Sequence, residues 1–524
     1  MNKKGFTLIE LLAVILILGI IALIAIPTVN NILKEARRGS FNSTLTNLEK
    51  AVEEKCTLEQ IKNIPITTTY TIIDGVISPS LDIKGDLPNG TIEVNSNCEV
   101  SFTLSDKNFT GTKDFVGDIT ITDGSSNTEV VYKEAILNGT DPVISGDLIP
   151  VTIANDGTVK KADLKTKWYS YNEKLWANAV ILTDTGKVES DGSILEESIE
   201  SYFVWIPRYK YKLFDMGNYS SYIEGTPSGS NIKNIEIVFE NKNTPISTGT
   251  AVGQYHSHPA FQAFNTNGLW VAKFETTGEA GNITVKPNLK PIGFINFKNM
   301  FTNSYNYNRN NDSHMMKNTE WGAVAYLSYS IYGINKKINI NNCTGDGLKT
   351  GYSAVSMNTE GNDSSVTQPY NTEIGYKAST TGNITGIYDM VGGAYEHMAS
   401  YKENGYNGGT VFSGFDTDPS VTYGSKYFDV YPSNSTKSSF NNRILGDATG
   451  ELGPFYYYSE NHYFFGEIYN NNWDSAFSNF ITSDEPLLLR GGSVHDRNIA
   501  SQLAFASSNG VIANNFAFRV VLIG

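Results

Sequence analysis

Cysteine is scarce in this sequence. The 524 residues include three cysteines, Cys56, Cys98 and Cys343. These thiols can form at most one bridge, which excludes a small scaffold held together by disulfides, and their spacing is not that of a zinc site. A bridge between Cys56 and Cys98 is one possibility, and two unrelated thiols are the other.

Charged residues are also few, and basic residues are fewer than acidic ones. Charged residues make up 18% of the chain, and 40 Lys and Arg against 54 Asp and Glu leave a net charge of −14. Nucleic-acid phosphates favour a basic surface, so we expect no nucleic-acid partner. Proline is sparse at 17 residues beside 47 glycines, whereas aromatic residues reach 12%. The composition excludes a disordered chain and predicts a large, β- and loop-rich extracytoplasmic protein.

The one long apolar run stands at the start of the chain. After Lys3 and Lys4, residues 6–26 are almost wholly apolar, with Glu10 as the exception. About 20 such residues can cross a bilayer as a helix, and the two lysines place the N-terminus in the cytoplasm. Pro27 predicts a kink, but the helical pattern continues beyond it, which argues against a cleaved secretory signal.

Glu10 is an ionisable residue inside this apolar run, a costly placement that indicates a function. The segment GFTLIE at 5–10 resembles the processing signal of type IV prepilins. The resemblance implies cleavage after Gly5 by a prepilin peptidase and N-methylation of Phe6. It also implies that Glu10 pairs with the N-terminal amine of a neighbouring subunit in a filament. An ordinary membrane anchor with a stray glutamate is the alternative.

Hydrophobic periodicity then divides the chain. Apolar residues at three-to-four spacing, among them Ala36, Leu45, Leu48 and Val52, predict a helix to about residue 62, and short Thr- and Val-rich runs beyond it predict an antiparallel sheet. The expected layout is a leader at 1–5, a pilin helix at 6–62 with its transmembrane part at about 6–27, a β-rich head at 63–138, a structured bridge at 139–200 and a large domain at 201–524. The region 139–200 has a second interpretation, as the first strands of the last domain.

The large domain carries a series of motifs in order. They are FVWIP at 203–207, LWVAKFETT at 269–277, NTEWGAVAYL at 318–327, GIYDMVGGAYE at 386–396, LRGGS at 489–493 and FAFRVV at 516–521. Their order and spacing resemble the sulfatase-modifying-factor, or formylglycine-generating-enzyme-like, family. The resemblance implies a C-type-lectin-like fold. The expected class is therefore α+β: a long N-terminal transmembrane or filament helix, a small antiparallel β pilin head, and a large C-type-lectin-like α+β domain.

Catalysis is not expected from this domain. Oxidising members of the family need a copper-binding cysteine pair near the C-terminal motif, and residues 490–524 contain no cysteine. We interpret Asp389 and Glu396 as structural residues that bond to loop backbone, because buried carboxylates in turn-rich folds usually accept from amides.

Histidine offers one possible metal site. Iron-dependent relatives need three histidines on one face, and His256 and His258 could share a strand face and join His314. We favour the alternative, an exposed loop QYHSHP at 254–259, because two histidines need a third ligand that the sequence does not show. We therefore expect no metal and no cofactor.

The segment 494–515, between the last two motifs, resembles the variable segment of lectin-fold proteins that retroelements diversify. Plain strands and turns of the family are the alternative. The aromatic runs at 455–458 and 463–465 are either a contact surface or core strands. The residues expected to contribute to a ligand surface are His495, Asp496, Arg497, Asn498, Asn509 and Asn514.

Together these features predict a minor type IV pilin, placed at the filament tip, with a lectin-like adhesion domain. The protein would be a single-pass membrane protein before assembly and would then lie on an extracellular pilus at the cell surface. Its expected partners are the prepilin peptidase, other pilin subunits, the membrane before assembly, and an unidentified glycan or protein ligand. One alternative is a pseudopilin of a secretion or DNA-uptake system, and another is a surface oxidase of the formylglycine-generating type.

Overall fold

The chain forms two compact units. The N-terminal unit comprises Met1–Ala135 and Leu164–Thr166, and the C-terminal unit comprises Ile136–Asp163 and Lys167–Gly524. Both are rich in strands, with few helices and mainly antiparallel sheets among the described residues, as in the α+β class. The computed structural model describes residues 8–62, 64, 66–73, 76–81, 83, 87–106, 108–123, 138–213, 234–251, 253–341, 348–354, 367–403, 414–435, 444–449, 476, 478–494, 496 and 500–524, with side chains in the first helix from residue 34.

The N-terminal unit is one helix followed by one sheet. The strands form a single antiparallel sheet in the order β2-β1-β3-β4-β5-β6. The elements are α1 (Leu8–Ile61), β1 (Thr69–Ile73), β2 (Val76–Ser78), β3 (Asn89–Val94), β4 (Val100–Ser105), β5 (Phe109–Lys113) and β6 (Thr120–Asp123).

The core of this unit lies between α1 and the sheet. Phe41, Leu45, Leu48 and Val52 of α1 are buried, because their spacing of three or four residues places them on one helix face. Ala36, which belongs to the same sequence stripe, is exposed. The sheet contributes Tyr70, Ile72, Ile92, Val94, Val100, Phe102, Leu104 and Phe109.

The segment expected to cross the membrane lies at the beginning of α1. Residues 6 and 7 lie outside the described residues, and the side chains of α1 are described only from residue 34. Among the helical residues that the structure describes with their side chains, no helix is both long enough and apolar enough to span a bilayer.

The C-terminal unit contains three further helices within its described residues, α2 (Phe297–Tyr307), α3 (Asn318–Ser328) and α4 (Pro419–Tyr423). Its strands are β7 (Ile149–Ile153), β8 (Val159–Lys161), β9 (Asn178–Leu182), β10 (Ser193–Ile194), β11 (Ile199–Pro207), β12 (Tyr209–Lys212), β13 (Ile237–Phe239), β14 (Tyr255–Ser257), β15 (Gly268–Ala272), β16 (Thr277–Glu279), β17 (Asn282–Thr284), β18 (His314–Met315), β19 (Tyr352–Ala354), β20 (Thr367–Pro369), β21 (Tyr395–Lys402), β22 (Asp429–Tyr431), β23 (Leu487–Arg490), β24 (Phe505–Ser508), β25 (Phe516–Ala517) and β26 (Val520–Ile523).

Two larger sheets organise this unit. The first is antiparallel, in the order β10-β8-β7-β9-β11-β15-β26-β18. The second has the order β22-β21-β23-β24, and β25 pairs with β21. Its β21–β22 and β21–β25 pairs are parallel. The smaller sheets described are β13-β12-β14, β16-β17 and β19-β20.

The region 139–200 belongs to the first large sheet. Its strand β7 pairs with β9, with Ile149 opposite Val180, and β9 pairs with β11. Val151 and Ile153 of β7 are buried. Their burial indicates that β7 is part of the packed sheet and not of an exposed connection. The interpretation of 139–200 as a bridge is therefore corrected. The second interpretation holds, because these residues are the first strands of the C-terminal unit.

Candidate functional site

The segment expected to bind a ligand starts from a fixed point, Arg490 at the end of β23. Arg490 is fully buried. Its Nε donates to Asn318 Oδ1 at 2.6 Å, and its Nη1 donates to the carbonyl of Ala448 at 3.1 Å. Its Nη2 donates to the carbonyl of Asp447. A buried guanidinium needs such partners for its donors, so Arg490 ties β23 to α3 and to the loop at 447–448.

A glycine turn follows directly. Gly491 and Gly492 have φ angles of 82° and 72°, in the left-handed region that glycine adopts without steric cost. A Cβ on Gly492 would lie 3.0 Å from the Cβ of Ala500. The carboxylate of Asp496 accepts a hydrogen bond from the backbone N–H of Ser493 at 2.6 Å and closes the turn.

The six residues predicted to bind a ligand have different environments. Asn509 and Asn514 are exposed. Asp496 is half-buried, and its carboxylate is bound within the turn rather than presented outward. The remaining three lie outside the described residues: His495, Arg497 and Asn498.

An exposed apolar tip lies beside the two asparagines. Val511 and Ile512 are 55% and 53% exposed, and Phe294 is 65% exposed. The backbone N–H of Phe294 donates to the carbonyl of Ala513 at 3.0 Å, which holds the two loops together. We define Phe294, Val511 and Ile512 as the apolar tip. The sequence did not predict this apolar tip, because no local pattern shows that Val511 and Ile512 remain exposed to solvent in the fold.

Glu396 belongs to a buried ion pair with Arg519. Its Oε2 accepts from Arg519 Nε at 3.0 Å, and its Oε1 accepts from Nη2. Arg519 also donates to the carbonyls of Ala272 at 2.8 Å and Tyr388 at 3.0 Å. Glu396 therefore bonds to an arginine, whereas the sequence predicted a bond to loop backbone. The FAFRVV and GIYDMVGGAYE motifs meet through this pair.

Asp389 accepts from loop backbone, as the sequence predicts. Its Oδ1 accepts from the N–H of Gly351 at 2.9 Å and from the side-chain amide of Asn341. Burial raises the pKa of Asp389 to about 6. Burial, with Asp389 and Glu396 nearby, also raises the pKa of Glu275 well above its usual range. Desolvation and the neighbouring carboxylates disfavour the ionised forms of Asp389 and Glu275, whereas Glu396 has the Arg519 guanidinium as its partner.

The histidines considered for a metal site are placed differently from one another. His256 lies in β14 and is half-buried, and His258 is fully buried, with its pKa lowered well below the usual value by that burial. The expected exposed loop at 254–259 is wrong, because β14 pairs with β12. His314 Nε2 lies 2.9 Å from Glu320 Oε1 in the buried interior. In the part of the chain that the structure describes, no three His, Cys, Asp or Glu side chains are grouped to hold a metal ion.

One disulfide lies in the N-terminal unit. Cys56 near the end of α1 is bonded to Cys98, with a Cα–Cα distance of 5.6 Å. The bridge ties the end of the helix to the residues that lead into β4. Cys343 lies outside the described residues.

The N-terminal segment matches a known family model. Residues 1–26 match the model described as the prokaryotic N-terminal methylation motif. The N-terminus is that of a type IV prepilin-like protein. The motif implies a membrane-anchored precursor, processing by a prepilin peptidase, and later assembly with other pilin-like subunits on the surface. Gly5 and Phe6 lie outside the described residues, and only the helical backbone of Glu10 is described.

Lys273 is a buried charged residue whose role the sequence did not indicate. Its Nζ donates to Asn178 Oδ1 at 2.9 Å and to the carbonyls of Ile384 at 2.6 Å and Gly386 at 2.9 Å. These partners lie 95 to 113 residues away in the sequence. No local pattern could have found them, because only the folded chain brings them together.

Proposed function

We propose that this protein is a minor type IV pilin, placed at the filament tip, that displays a lectin-like adhesion domain. The observation that carries the proposal is the combination of a prepilin-type motif at 1–26 with a compact unit at 136–163 and 167–524. Shaft subunits repeat at short intervals along a filament, and a unit of this size is hard to repeat in such packing. A tip or low-copy position avoids that crowding.

The ligand surface of this proposal is the loop region at the end of the C-terminal unit. Asn509 and Asn514 offer amide donors and acceptors, and the apolar tip offers contact area beside them. The buried Arg490 and the glycine turn hold the base of this region. Binding residues on loops above a rigid scaffold are a common arrangement in proteins. A glycan or a protein surface fits this mixture of amides and apolar side chains.

The proposal does not include catalysis. Residues 490–524 contain no cysteine, and the formylglycine-generating reaction of the resembled family depends on a cysteine pair there. Copper-loaded protein with a thiol-containing peptide gives the test. We expect no oxygen consumption and no aldehyde product. Turnover would replace the adhesion proposal with a surface oxidase.

A pseudopilin of a secretion or DNA-uptake system is the second candidate, because the motif at 1–26 supports either a pilin or a pseudopilin. The net charge of −14 weighs against direct contact with DNA. The two candidates differ in what a cell loses without the protein.

Gene deletion with complementation tests the proposal. The deletion strain should lose adhesion and keep secretion and transformation, and the full-length gene should restore adhesion. A gene carrying Asn509→Ala and Asn514→Ala should restore filaments without full adhesion. Matched substitutions away from the loops, Asn241→Ala and Asn243→Ala, should restore both. Lost secretion or transformation with intact adhesion would favour the pseudopilin instead.

A further inference from the structure

Three carboxyl groups lie together in the interior of the C-terminal unit. Glu275, Asp389 and Glu396 are all buried, and each acts electrostatically on the others. The cation that acts on all three is Arg519, which is bonded to Glu396. Fully ionised, these four side chains would carry three negative charges against one positive charge. A buried excess of charge is costly, and the usual outcome is that one group stays neutral.

Glu275 has the fewest partners of the three carboxyls. Its Oε1 accepts from the N–H of Ala394 at 2.9 Å, and its Oε2 is buried without a hydrogen-bond partner in the described structure. Asp389 accepts from the N–H of Gly351 with both oxygens, at 2.9 Å and 3.0 Å, and Glu396 is bonded to a guanidinium. An ionised carboxylate needs donors around both oxygens, so Glu275 is the carboxyl least suited to carry a buried charge.

A second buried oxygen beside Glu275 also lacks a partner. The Nδ2 of Asn341 donates to Asp389 and to the carbonyl of Lys349, whereas its Oδ1 has no partner in the described structure. Glu275 and Asn341 meet over Gly393, because a Cβ there would lie 3.0 Å from Glu275 Oε1 and 3.4 Å from Asn341 Nδ2. An ionised carboxylate and an amide oxygen only accept hydrogen bonds. A proton on Glu275 adds the donor that this pair of acceptors lacks.

We propose that Glu275 carries a proton at neutral pH and acts as a pH-sensitive lock on the turn at 392–394 and on the loop that follows β23. The electrostatics agree with the geometry. Burial raises the pKa of Glu275 well above its usual range, and the charges of Asp389 and Glu396 raise it further. The folded chain therefore holds this proton more tightly than the unfolded chain does. The stabilisation is complete below the ordinary pKa of 4.5 and is lost as pH rises towards the folded pKa.

The turn at 392–394 transmits the state of Glu275 to the loop. Glu275 holds this turn through the N–H of Ala394. The turn in turn contacts the residues after β23, since the N–H of Val494 donates to the carbonyl of Gly393 at 3.1 Å. Loss of the proton adds a negative charge beside Asp389, and the repulsion loosens the turn and the loop base together. The lock does not depend on what the loop binds, so it holds with or without adhesion.

Glu275→Gln gives the first test, because glutamine has the shape of a protonated carboxyl and does not ionise. Chemical unfolding of the C-terminal unit is followed between pH 5 and pH 7.5, with the full-length protein in detergent micelles. The unfolding equilibrium constant of the unaltered protein should rise relative to that of the variant by about tenfold per pH unit, the dependence that one proton gives. Glu279→Gln is the matched control, because Glu279 is an exposed carboxylate in β16. It should keep the pH dependence of the unaltered protein.

Two further measurements do not rely on unfolding. Infrared spectra at pH 7.5 should show a carboxylic acid band in the unaltered protein and in Glu279→Gln, but not in Glu275→Gln. Hydrogen exchange of the unaltered protein should show that the turn at 392–394 and Val494 lose protection between pH 7 and pH 9, beyond the intrinsic acceleration of exchange.

Three results would overturn the proposal. The first is a carboxylic acid band that persists in Glu275→Gln, and the second is the same pH dependence of stability in this variant and the unaltered protein. The third is loop protection in the unaltered protein that does not change with pH, which would exclude the lock even if the variant failed to fold.

Discussion

The two units of this chain have different interiors. The N-terminal unit buries apolar side chains between α1 and its sheet, and Glu59 is the one charged residue that is buried among its described residues. The C-terminal unit buries a set of charged side chains with their partners, including Arg208, Arg490 and Arg519. One interior relies on packing and a disulfide, and the other relies on satisfied polar networks as well.

This difference bears on what each unit can do. Apolar packing tolerates exchange of similar side chains, so a helix–sheet pair suits a subunit that must pack against others. A buried ionic network fails when one partner is lost, and it fixes the backbone around it. The ion pair of Glu396 and Arg519 joins strand β21 to the residues that lead into β26, and Arg490 supports the loops that follow β23. A unit built in this way is suited to presenting a fixed surface.

The largest expected effect separates the two interiors directly. Arg519→Met leaves Glu396 buried without its cation, and we expect the C-terminal unit to lose about 3–5 kcal/mol of stability. Hydrogen exchange should speed up in β15 and β26 but not in β3 and β4. Lys212→Met is the control, because Lys212 pairs with Glu236 on the surface. It should change stability by less than about 1 kcal/mol. Equal losses in the two variants would contradict the comparison.

The disulfide should matter only to the N-terminal unit. Cys56→Ala with Cys98→Ala opens a loop with a sequence separation of 42 residues. The N-terminal unit should lose about 2–4 kcal/mol, because its unfolded chain is no longer constrained. Hydrogen exchange of β3 and β4 measures the loss, and the C-terminal strands should not change. Cys343→Ala, which leaves the bridge intact, should match the unaltered protein in both units.

A smaller effect depends on pH. Burial lowers the pKa of His397 to about 3, so this imidazole stays neutral in the fold. The unfolded chain binds a proton below about pH 6.5 while the folded chain does not, and this contribution to stability is therefore lost as pH falls from 6.5 towards 3. The loss at pH 5 is about 2 kcal/mol.

His397→Phe tests this contribution. His397 packs against Phe297 and Phe516, with ring centroids 5.7 Å and 5.0 Å away, so another aromatic ring fits the site. Chemical unfolding of the C-terminal unit at pH 7.5 and at pH 5 gives the measurement. The variant should lose less stability on acidification than the unaltered protein. The same pH dependence in both proteins would exclude His397 as the titrating group.

Local sequence patterns predicted local features well. Leu45, Leu48 and Val52 form a helical stripe in the sequence and lie in the core between α1 and its sheet. The turn at Gly491 and Gly492 is readable from two adjacent glycines that follow a strand. These features depend on a few neighbouring residues, so their physical causes are present in the local sequence.

Features that depend on distant partners could not be predicted. The sequence did not decide whether 139–200 is a bridge or the beginning of the last domain. Its strand β9 pairs with β11, and pairing between separate strands leaves no local pattern in the sequence. His258 was placed on an exposed loop, but it is buried among Tyr209, Tyr211 and Tyr326.

The most direct measurement of the central claim is the intact mass of the protein in sheared pili. The account predicts a chain that begins at Phe6, carries an N-methyl group and continues through the C-terminal unit. A strain without its prepilin peptidase should retain residues 1–5 and yield none of this protein in the sheared fraction. A mature chain that still begins at Met1, or one cut after the apolar run near Ile26, would contradict the account.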